Sequence, residues 1–272
     1  MILLALIVAA IASAQKLEIQ FATQPVVEER LRTYAHKNAE REPALRKLFE
    51  NAGCKGDSLV EQKVRSDRPN LVCSLPGSSQ SIIVVGAHYD LVEKGDGVVD
   101  NWSGASLLPS LYEGLAAKPR QHTFVFVGFM GEEEGLVGSQ AFVKQLGKNP
   151  EQRVRAMVNM DTLGLGETEV WVSHADKEMV EWLGGVAAAL KLPVSGVNVD
   201  QVGTTDSESF RNKKIPAITI HSLTNETLSL LHSPKDRIEA MHMDEYYRTY
   251  QLIAGYLAFL DLKLSTVQGV DH

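Results

Sequence analysis

Apolar residues follow two different periods along this chain, and each period predicts one kind of element. Short, nearly uninterrupted apolar runs predict strands, and the most apolar of them are typical of strands buried on both faces of a sheet. The predicted strands span 58–64, 70–75, 81–88, 123–130, 155–161, 169–173 and 216–222. Other segments repeat their apolar residues at helical spacing. The predicted helices span 25–52, 103–117, 176–192 and 243–263, with a short one after Ser139.

The alternation of strands with helices predicts a single α/β domain whose sheet carries helices on both faces. The solidly apolar central strands favour a parallel centre for that sheet. Within the first predicted helix, Pro43 is expected to interrupt the hydrogen bonding, and Ser103 is the candidate N-cap of the second helix. A chain of 272 residues without repeats or linkers fits one large domain.

The N-terminus has the pattern of a secretory signal. Residues 2–14 carry no charge and end in Ala12-Ser13-Ala14, the small-x-small pattern that precedes a signal-peptidase cut. The stretch is shorter than the roughly 20 residues that span a bilayer comfortably. We therefore predict a signal peptide at 1–14, a mature domain at 15–272 and a secreted or periplasmic protein without stable membrane association after cleavage. A membrane-anchored N-terminus is the alternative.

The cysteine content and the net charge bear on the expected disulfide and on the class of partner. Cys54 and Cys73 are the only cysteines, and in an oxidising compartment we expect them to form one disulfide rather than two separate buried thiols. The formal net charge is −7, whereas nucleic-acid-binding domains are usually basic. We therefore expect no nucleic-acid partner.

Acidic and histidine side chains follow three of the most apolar predicted strands. These side chains are His88 and Asp90, Glu132 and Glu133, and Asp161. Ligands of open α/β sheets bind outside the carboxyl ends of the strands, where these residues would meet. Asp100 and His232 follow in loops near two of the predicted strands.

Imidazole and carboxylate groups are the ligands of zinc and similar divalent ions. With one glutamate of the Glu132–Glu133 pair counted together with Asp100 and Asp161, three carboxylates and two imidazoles are available. They exceed what one tetrahedral zinc requires, but they suit two ions about 3.5–4 Å apart that share a bridging carboxylate. Bound cations would also explain the adjacent Glu132 and Glu133, whose like charges would otherwise repel at the end of a buried strand.

Five segments together resemble the ordered motifs of the secreted di-zinc aminopeptidases, the bacterial leucyl aminopeptidase group of the clan MH zinc exopeptidases. The segments read GAHYD at 86–90, DNWSG at 100–104, GEEEGLVGS at 131–139, NMD at 159–161 and LHSPKD at 231–236. With the final helix, the resemblance covers nearly all of the mature chain. It implies a mixed, mostly parallel sheet of about eight strands, flanked by helices, and a zinc exopeptidase domain at 15–272.

The resemblance implies two zinc ions per chain and a ligand role for five residues. Asp100 would bridge the two ions. His88 and Asp161 would complete the site of one ion, and Glu133 and His232 would complete the site of the other.

The resemblance also implies roles for residues that bind no metal. Glu132 would be the general base, and Asp90 would accept a hydrogen bond from the ring nitrogen of His88 that faces away from the metal. Asp236 is a further candidate for contact with the ligands. In the family, the peptide bond after the bridging aspartate is cis, so we predict a cis Asp100–Asn101 bond.

One segment departs from the family pattern. Many relatives carry Ser-Asp-His before the last ligand strand, whereas this chain has Thr205-Asp206-Ser207. The missing histidine affects the expected substrate pocket and not the metal ligands.

The resemblance implies hydrolysis of N-terminal residues from peptides with a free N-terminus. Three alternatives remain open. They are glutaminyl cyclisation by a single-zinc relative, a carboxypeptidase of the same fold, and a binding ectodomain without enzymatic activity. The pair Glu132 and Glu133 favours the peptidase over the cyclase. A carboxypeptidase that acts on acidic C-termini would need a basic pocket, and no cluster of Arg or Lys flanks these motifs.

Overall fold

The computed structural model describes residues 19–266, which form eight strands and eight α-helices. The strands are β1 Leu59–Gln62, β2 Asn70–Leu75, β3 Ile82–His88, β4 Thr123–Phe129, β5 Val154–Met160, β6 Thr168–Val170, β7 Val194–Gly196 and β8 Ala217–His221. The predicted signal peptide at 1–14 lies outside the described residues.

The helices are α1 Gln24–Leu31, α2 Asn38–Asn51, α3 Ser103–Ala105, α4 Leu107–Ala116, α5 Val137–Gln145, α6 Lys177–Leu190, α7 Ser207–Arg211 and α8 Met243–Thr266. Within residues 19–266, every helix is too short or too polar to cross a bilayer.

All eight strands belong to one mixed sheet in the order β1-β2-β4-β3-β5-β8-β6-β7. The central strands β4, β3, β5 and β8 run parallel, while β1, β2 and β6 join antiparallel to a neighbour. The predicted α/β fold with a mixed, mostly parallel sheet is therefore confirmed. The parallel strands end at the same edge, which is where the candidate ligands lie.

The central strands are buried on both faces, as their continuous apolar sequences predict. Along β4, Phe124 and Phe126 pack into one apolar cluster, whereas Val127 and Phe129 pack into the other. The second cluster also contains Phe142 of α5 and Phe210 of α7. Helices therefore cover both faces, so that the open edge at the strand ends is left for ligands.

Several predicted boundaries are wrong. The first predicted helix is interrupted between Leu31 and Asn38, and Pro43 lies inside α2. Within the interruption, the turn carbonyl of Ala35 accepts a hydrogen bond from Arg41 Nε at 3.0 Å, a side-chain contact that spans six residues. Sequence periodicity cannot show such a contact.

Ser103 is not an N-cap. It is already helical, and its hydroxyl donates to the carbonyl of Val99 at 2.7 Å while accepting from the Leu163 amide at 2.9 Å. It therefore ties the turn that carries Asp100 to the segment after Asp161. The short elements β7 and α7 were not predicted, because three and five residues are too few to show a period.

Cys54 and Cys73 form the predicted disulfide. The bond links the segment after α2 to the antiparallel strand β2.

Candidate metal centre

The five predicted ligands converge at the carboxyl-end edge of the sheet. His88 is the last residue of β3, Asp161 directly follows β5, and Glu133 lies in the loop after β4. Asp100 comes from the turn before α3, and His232 comes from the loop after β8. Parallel strands bring the first three together, and loops deliver the other two.

Asp100 lies at the centre of this group. Its Oδ1 is 3.2 Å from Nε2 of His88, and its Oδ2 is 3.3 Å from Nε2 of His232. The two carboxylate oxygens therefore face two different imidazoles. This is the arrangement expected of a carboxylate that bridges two ions.

The remaining ligands complete two overlapping groups. The first contains His88, Asp100 and Asp161, and the second contains Asp100, Glu133 and His232. In each group, one ligand atom per residue lies within 4.8 Å of the others. Imidazole and carboxylate donors at this spacing fit two zinc ions that share Asp100.

The electrostatics of the site favour cations. Hydrogen bonding to Asp100 raises the pKa of His232 to about 9. Burial opposes the charged form of His88, but hydrogen bonds to Asp100 and Asp161 outweigh it and raise the pKa of His88. Without metal, the imidazoles therefore take up protons that balance the carboxylates. A divalent cation can replace those protons.

The two adjacent glutamates are desolvated. Burial raises the pKa of Glu133 to about 7, and burial also raises the pKa of Glu132 well above its usual value. Carboxyl groups with raised pKa values are suited to proton transfer near neutral pH, whereas a bound cation restores the ionised form of a ligand. Glu133 contacts His232 directly at 3.0 Å, but Glu132 belongs to neither ligand group.

Asp90 does not make the predicted hydrogen bond. Its Oδ1 lies 3.5 Å from Nδ1 of His88, at the outer limit for such a bond. The carboxylate instead accepts the backbone amides of Glu132 at 3.2 Å and Glu133 at 3.1 Å. Asp90 is therefore better placed to fix the glutamate loop than to orient His88.

Asp236 contacts the turn that carries Asp100. Its two carboxylate oxygens accept the backbone amides of Val99 at 2.8 Å and Asp100 at 3.1 Å. Burial raises the pKa of Asp236 to about 6, although these amides favour the charged form. The predicted cis peptide bond is present between Asp100 and Asn101.

Sequence reasoning missed the partners of Asp161. The Thr205 hydroxyl donates to Asp161 Oδ2 at 2.6 Å and accepts from the Asn159 side chain at 2.8 Å. Thr205 occupies the serine position of the family's Ser-Asp-His segment, so a hydroxyl at this position was the available signal.

Asp206 does not line the cleft. It is fully buried, and neither carboxylate oxygen has a hydrogen-bond partner among the described residues. Burial raises its pKa to about 7. The aspartate that matches the family pattern is therefore behind the site and not at its surface.

A cleft of about 530 Å³, including its open mouth, adjoins the ligands. Its other walls come from Thr162, Trp171, Val199, Thr204, Thr205, Thr219, His221, Leu223 and Leu231. His221 bonds the Val197 carbonyl through Nε2 and accepts the Leu223 amide through Nδ1. Burial lowers its pKa to about 4, so that it contributes a neutral ring to the wall.

The profile of peptidase family M28 matches residues 70–257, which is more than half of the chain. A probable leucine aminopeptidase of Trichophyton verrucosum is 22% identical over 237 residues, covering 80% of this chain and 64% of that protein. The chain spans less than two thirds of the length of the curated relatives that it matches.

Two solved structures share the fold. The LapA aminopeptidase of Legionella pneumophila has a TM-score of 0.77 at 20% identity, over 88% of this chain and 72% of that chain. A glutaminyl cyclase of an Acidobacteriales bacterium has a TM-score of 0.76 at 16% identity, over 94% of this chain and all of that chain. At such identities the likeness shows the fold alone. The profile match places the chain in a family, and we conclude that it belongs to peptidase family M28.

Proposed function

We propose that this protein is an aminopeptidase that binds two zinc ions and removes N-terminal residues from peptides. The observation that carries the proposal is the placement of Asp100, whose two oxygens face His88 and His232 at 3.2 and 3.3 Å. A site for a single ion would not need a carboxylate between two separate ligand groups.

His88 and Asp161 would hold one ion, Glu133 and His232 would hold the other, and Asp100 would contact both. When bound, zinc polarises a substrate carbonyl and lowers the pKa of water toward about 7. The protein itself must supply the group that transfers protons. Glu132 lies beside the ligands without joining either group, and burial raises its pKa. We assign Glu132 the role of general base, which takes a proton from the attacking water and delivers it to the leaving amine.

The described lining of the cleft offers no basic side chain that could bind a C-terminal carboxylate. Four acidic residues line it, namely Asp100, Glu132, Glu133 and Asp161, and no Lys or Arg is among its lining residues in the described part of the chain. A carboxypeptidase would need such a basic group to recognise the C-terminal carboxylate of its substrate, whereas an aminopeptidase would not. This argues for an aminopeptidase and against a carboxypeptidase.

Glutaminyl cyclisation is the second candidate, because the Acidobacteriales cyclase matches over its whole length. A binding protein without activity is less well supported, since the chain retains both ligand groups and Glu132.

Zinc content and a substrate panel distinguish these candidates. We expect two zinc ions per chain and hydrolysis of aminoacyl-nitroanilides that is lost with a chelator. One zinc per chain with release of ammonia from an N-terminal glutaminyl peptide would establish the cyclase. A protein that binds no zinc and turns over neither substrate would support a binding module without enzymatic activity.

Secretion is a further part of the proposal. The Cys54–Cys73 disulfide supports an oxidising compartment, consistent with a signal peptide at 1–14. Mass spectrometry of the exported protein should give Gln15 as its first residue, whereas retention of residues 1–14 would refute the assigned cut.

A further inference from the structure

Helix α2 contacts the loop that connects two of the proposed ligands. Residues 89–97 join His88 at the end of β3 to the turn that carries Asp100, and they contain no helix or strand. We call this segment the ligand loop. Its conformation sets the position of Asp100 relative to His88.

Arg41 lies against this loop with its side chain fully buried. Its guanidinium donates to the carbonyls of Tyr89 at 3.1 Å, Asp96 at 2.7 Å and Gly97 at 2.8 Å. These carbonyls belong to the first and the last two residues of the loop. One side chain therefore fixes the separation of the two loop ends.

The close approach of Arg41 depends on a glycine. A Cβ atom at Gly97 would lie 2.7 Å from Nη2 of Arg41, and the residue has a φ of +58°. On its other side, the Arg41 guanidinium lies 5.5 Å from the ring centre of Trp102, two residues beyond Asp100. Both the loop and the turn after it therefore contact the same cation.

Asn38 extends the contact from one turn earlier on the same helix. Its side-chain amide donates to the Leu91 carbonyl at 3.1 Å, and its carbonyl oxygen accepts the Leu91 amide at 2.9 Å. Residues three apart share a helix face, so Asn38 and Arg41 act on the loop together.

We propose that Asn38 and Arg41 are positioning residues, which hold the ligand loop and through it the zinc ligands on either side. The inference rests on the proposed two-zinc function. Preorganisation matters because a loop that the protein already orders does not have to be ordered by the metal. Lysine would replace Arg41 only in part, because the bonds use a planar fork of donors rather than a single ammonium.

Burial lowers the pKa of Arg41 to about 10, so the side chain stays protonated at neutral pH. It is a cation close to several carboxylates, and its loss removes both charge and hydrogen bonds. A comparison of Arg41→Met with Arg41→Lys separates the two effects.

The first measurement uses metal-free protein, so that it does not depend on zinc. In Arg41→Met, we expect amides of the ligand loop to exchange hydrogen at least about tenfold faster than in the wild type. Arg46→Met is the control on the same helix, because Arg46 pairs with Glu42 and Glu61 at the surface. That variant should leave loop exchange unchanged.

The second measurement is zinc affinity, by competition with a chelating dye, together with the absorption spectrum of the cobalt-substituted protein. Arg41→Met should weaken zinc binding by about 10–100-fold and change the cobalt spectrum. Arg41→Lys should fall between Arg41→Met and the wild type, and Arg46→Met should match the wild type.

Unchanged loop exchange in Arg41→Met would overturn the proposal, and so would faster exchange with wild-type zinc affinity. If Arg41→Met does not fold, Asn38→Ala decides by the same two measurements, since it removes only the two bonds to Leu91. Zinc content and peptide hydrolysis of the wild type test the proposed function separately, because loop exchange is measured without metal.

Discussion

The carboxylate of Asp236 accepts the backbone amide of Asp100 at 3.1 Å, although 136 residues separate the two along the chain. Asp236 lies four residues after His232, so it ties the His232 loop to the turn that carries the proposed bridging ligand. The Asp236 side chain thereby holds two ligands of one proposed ion, Asp100 and His232, relative to each other.

Asp236→Asn should therefore weaken zinc binding. The amide has nearly the same shape, but its NH₂ group cannot accept one of the two backbone amides. We expect affinity for zinc to fall by about 10–100-fold, as for other residues that orient ligands. Asp57→Asn is the control, because Asp57 is an exposed acid far along the sequence from the ligands. Equal affinity in the two variants would contradict the role given to Asp236.

Replacing Glu132 and Glu133 by glutamine, one at a time, distinguishes the proposed general base from the proposed zinc ligand. Glu132→Gln should keep both zinc ions and lower kcat by roughly 10²–10⁴, with a much smaller effect on KM. Glu133→Gln should lose part of the metal, and excess zinc should partly restore its activity. Metal content by mass spectrometry and kcat are measured on both variants. Loss of zinc from Glu132→Gln alone would mean that the two roles are reversed.

The hydroxyl of Thr205 offers a matched pair of substitutions. Thr205→Val keeps the shape but removes the hydrogen bond to Asp161, whereas Thr205→Ser keeps the hydroxyl. The valine variant should bind zinc about 10–100-fold more weakly, and the serine variant should resemble the wild type. Titration with a competing chelator measures both. If valine and serine behave alike, the bond does not orient the ligand.

Asp261 should stabilise the fold in a pH-dependent way. It accepts the backbone amides of Gln121 and His122 and contacts Nδ1 of His122. Burial opposes its ionisation, but the hydrogen bonds from His122 outweigh burial and lower its pKa. The stabilisation is therefore present above the unfolded pKa of about 3.9 and is lost as the pH falls through the lower folded value.

Urea unfolding of metal-free protein measures this effect. At pH 6, Asp261→Asn should lower the free energy of unfolding by about 1.5–3 kcal/mol, the usual range for bonds to a charged group. The difference should shrink below about pH 4. Asp244→Asn, an exposed acid on the same helix, is the control. A difference that is constant down to pH 2 would show that the charge of Asp261 is not involved.

The sequence predicted the parts of the site that follow from strands. His88, Glu133 and Asp161 could be placed together because parallel buried strands end at one edge. Asp100 and His232 were candidates from their positions near the strands, but their ligand roles needed the family resemblance, because loops carry them and no period fixes a loop.

Contacts between distant segments could not be predicted. Arg41 reads in the sequence as one more charged residue of an amphipathic helix, yet it is fully buried against backbone carbonyls. His122 has no recognisable motif around it in the sequence, yet it is buried beside Asp261. Both depend on partners tens of residues away, which neither periodicity nor motif spacing reveals.

Anomalous diffraction from crystals of the zinc-loaded protein gives the number and the positions of the bound metal ions. We expect two zinc peaks about 3.5–4 Å apart. One should contact His88 and Asp161, the other should contact Glu133 and His232, and Asp100 should lie between them. A single peak at saturating zinc, or two peaks that do not share Asp100, would contradict the two-zinc site.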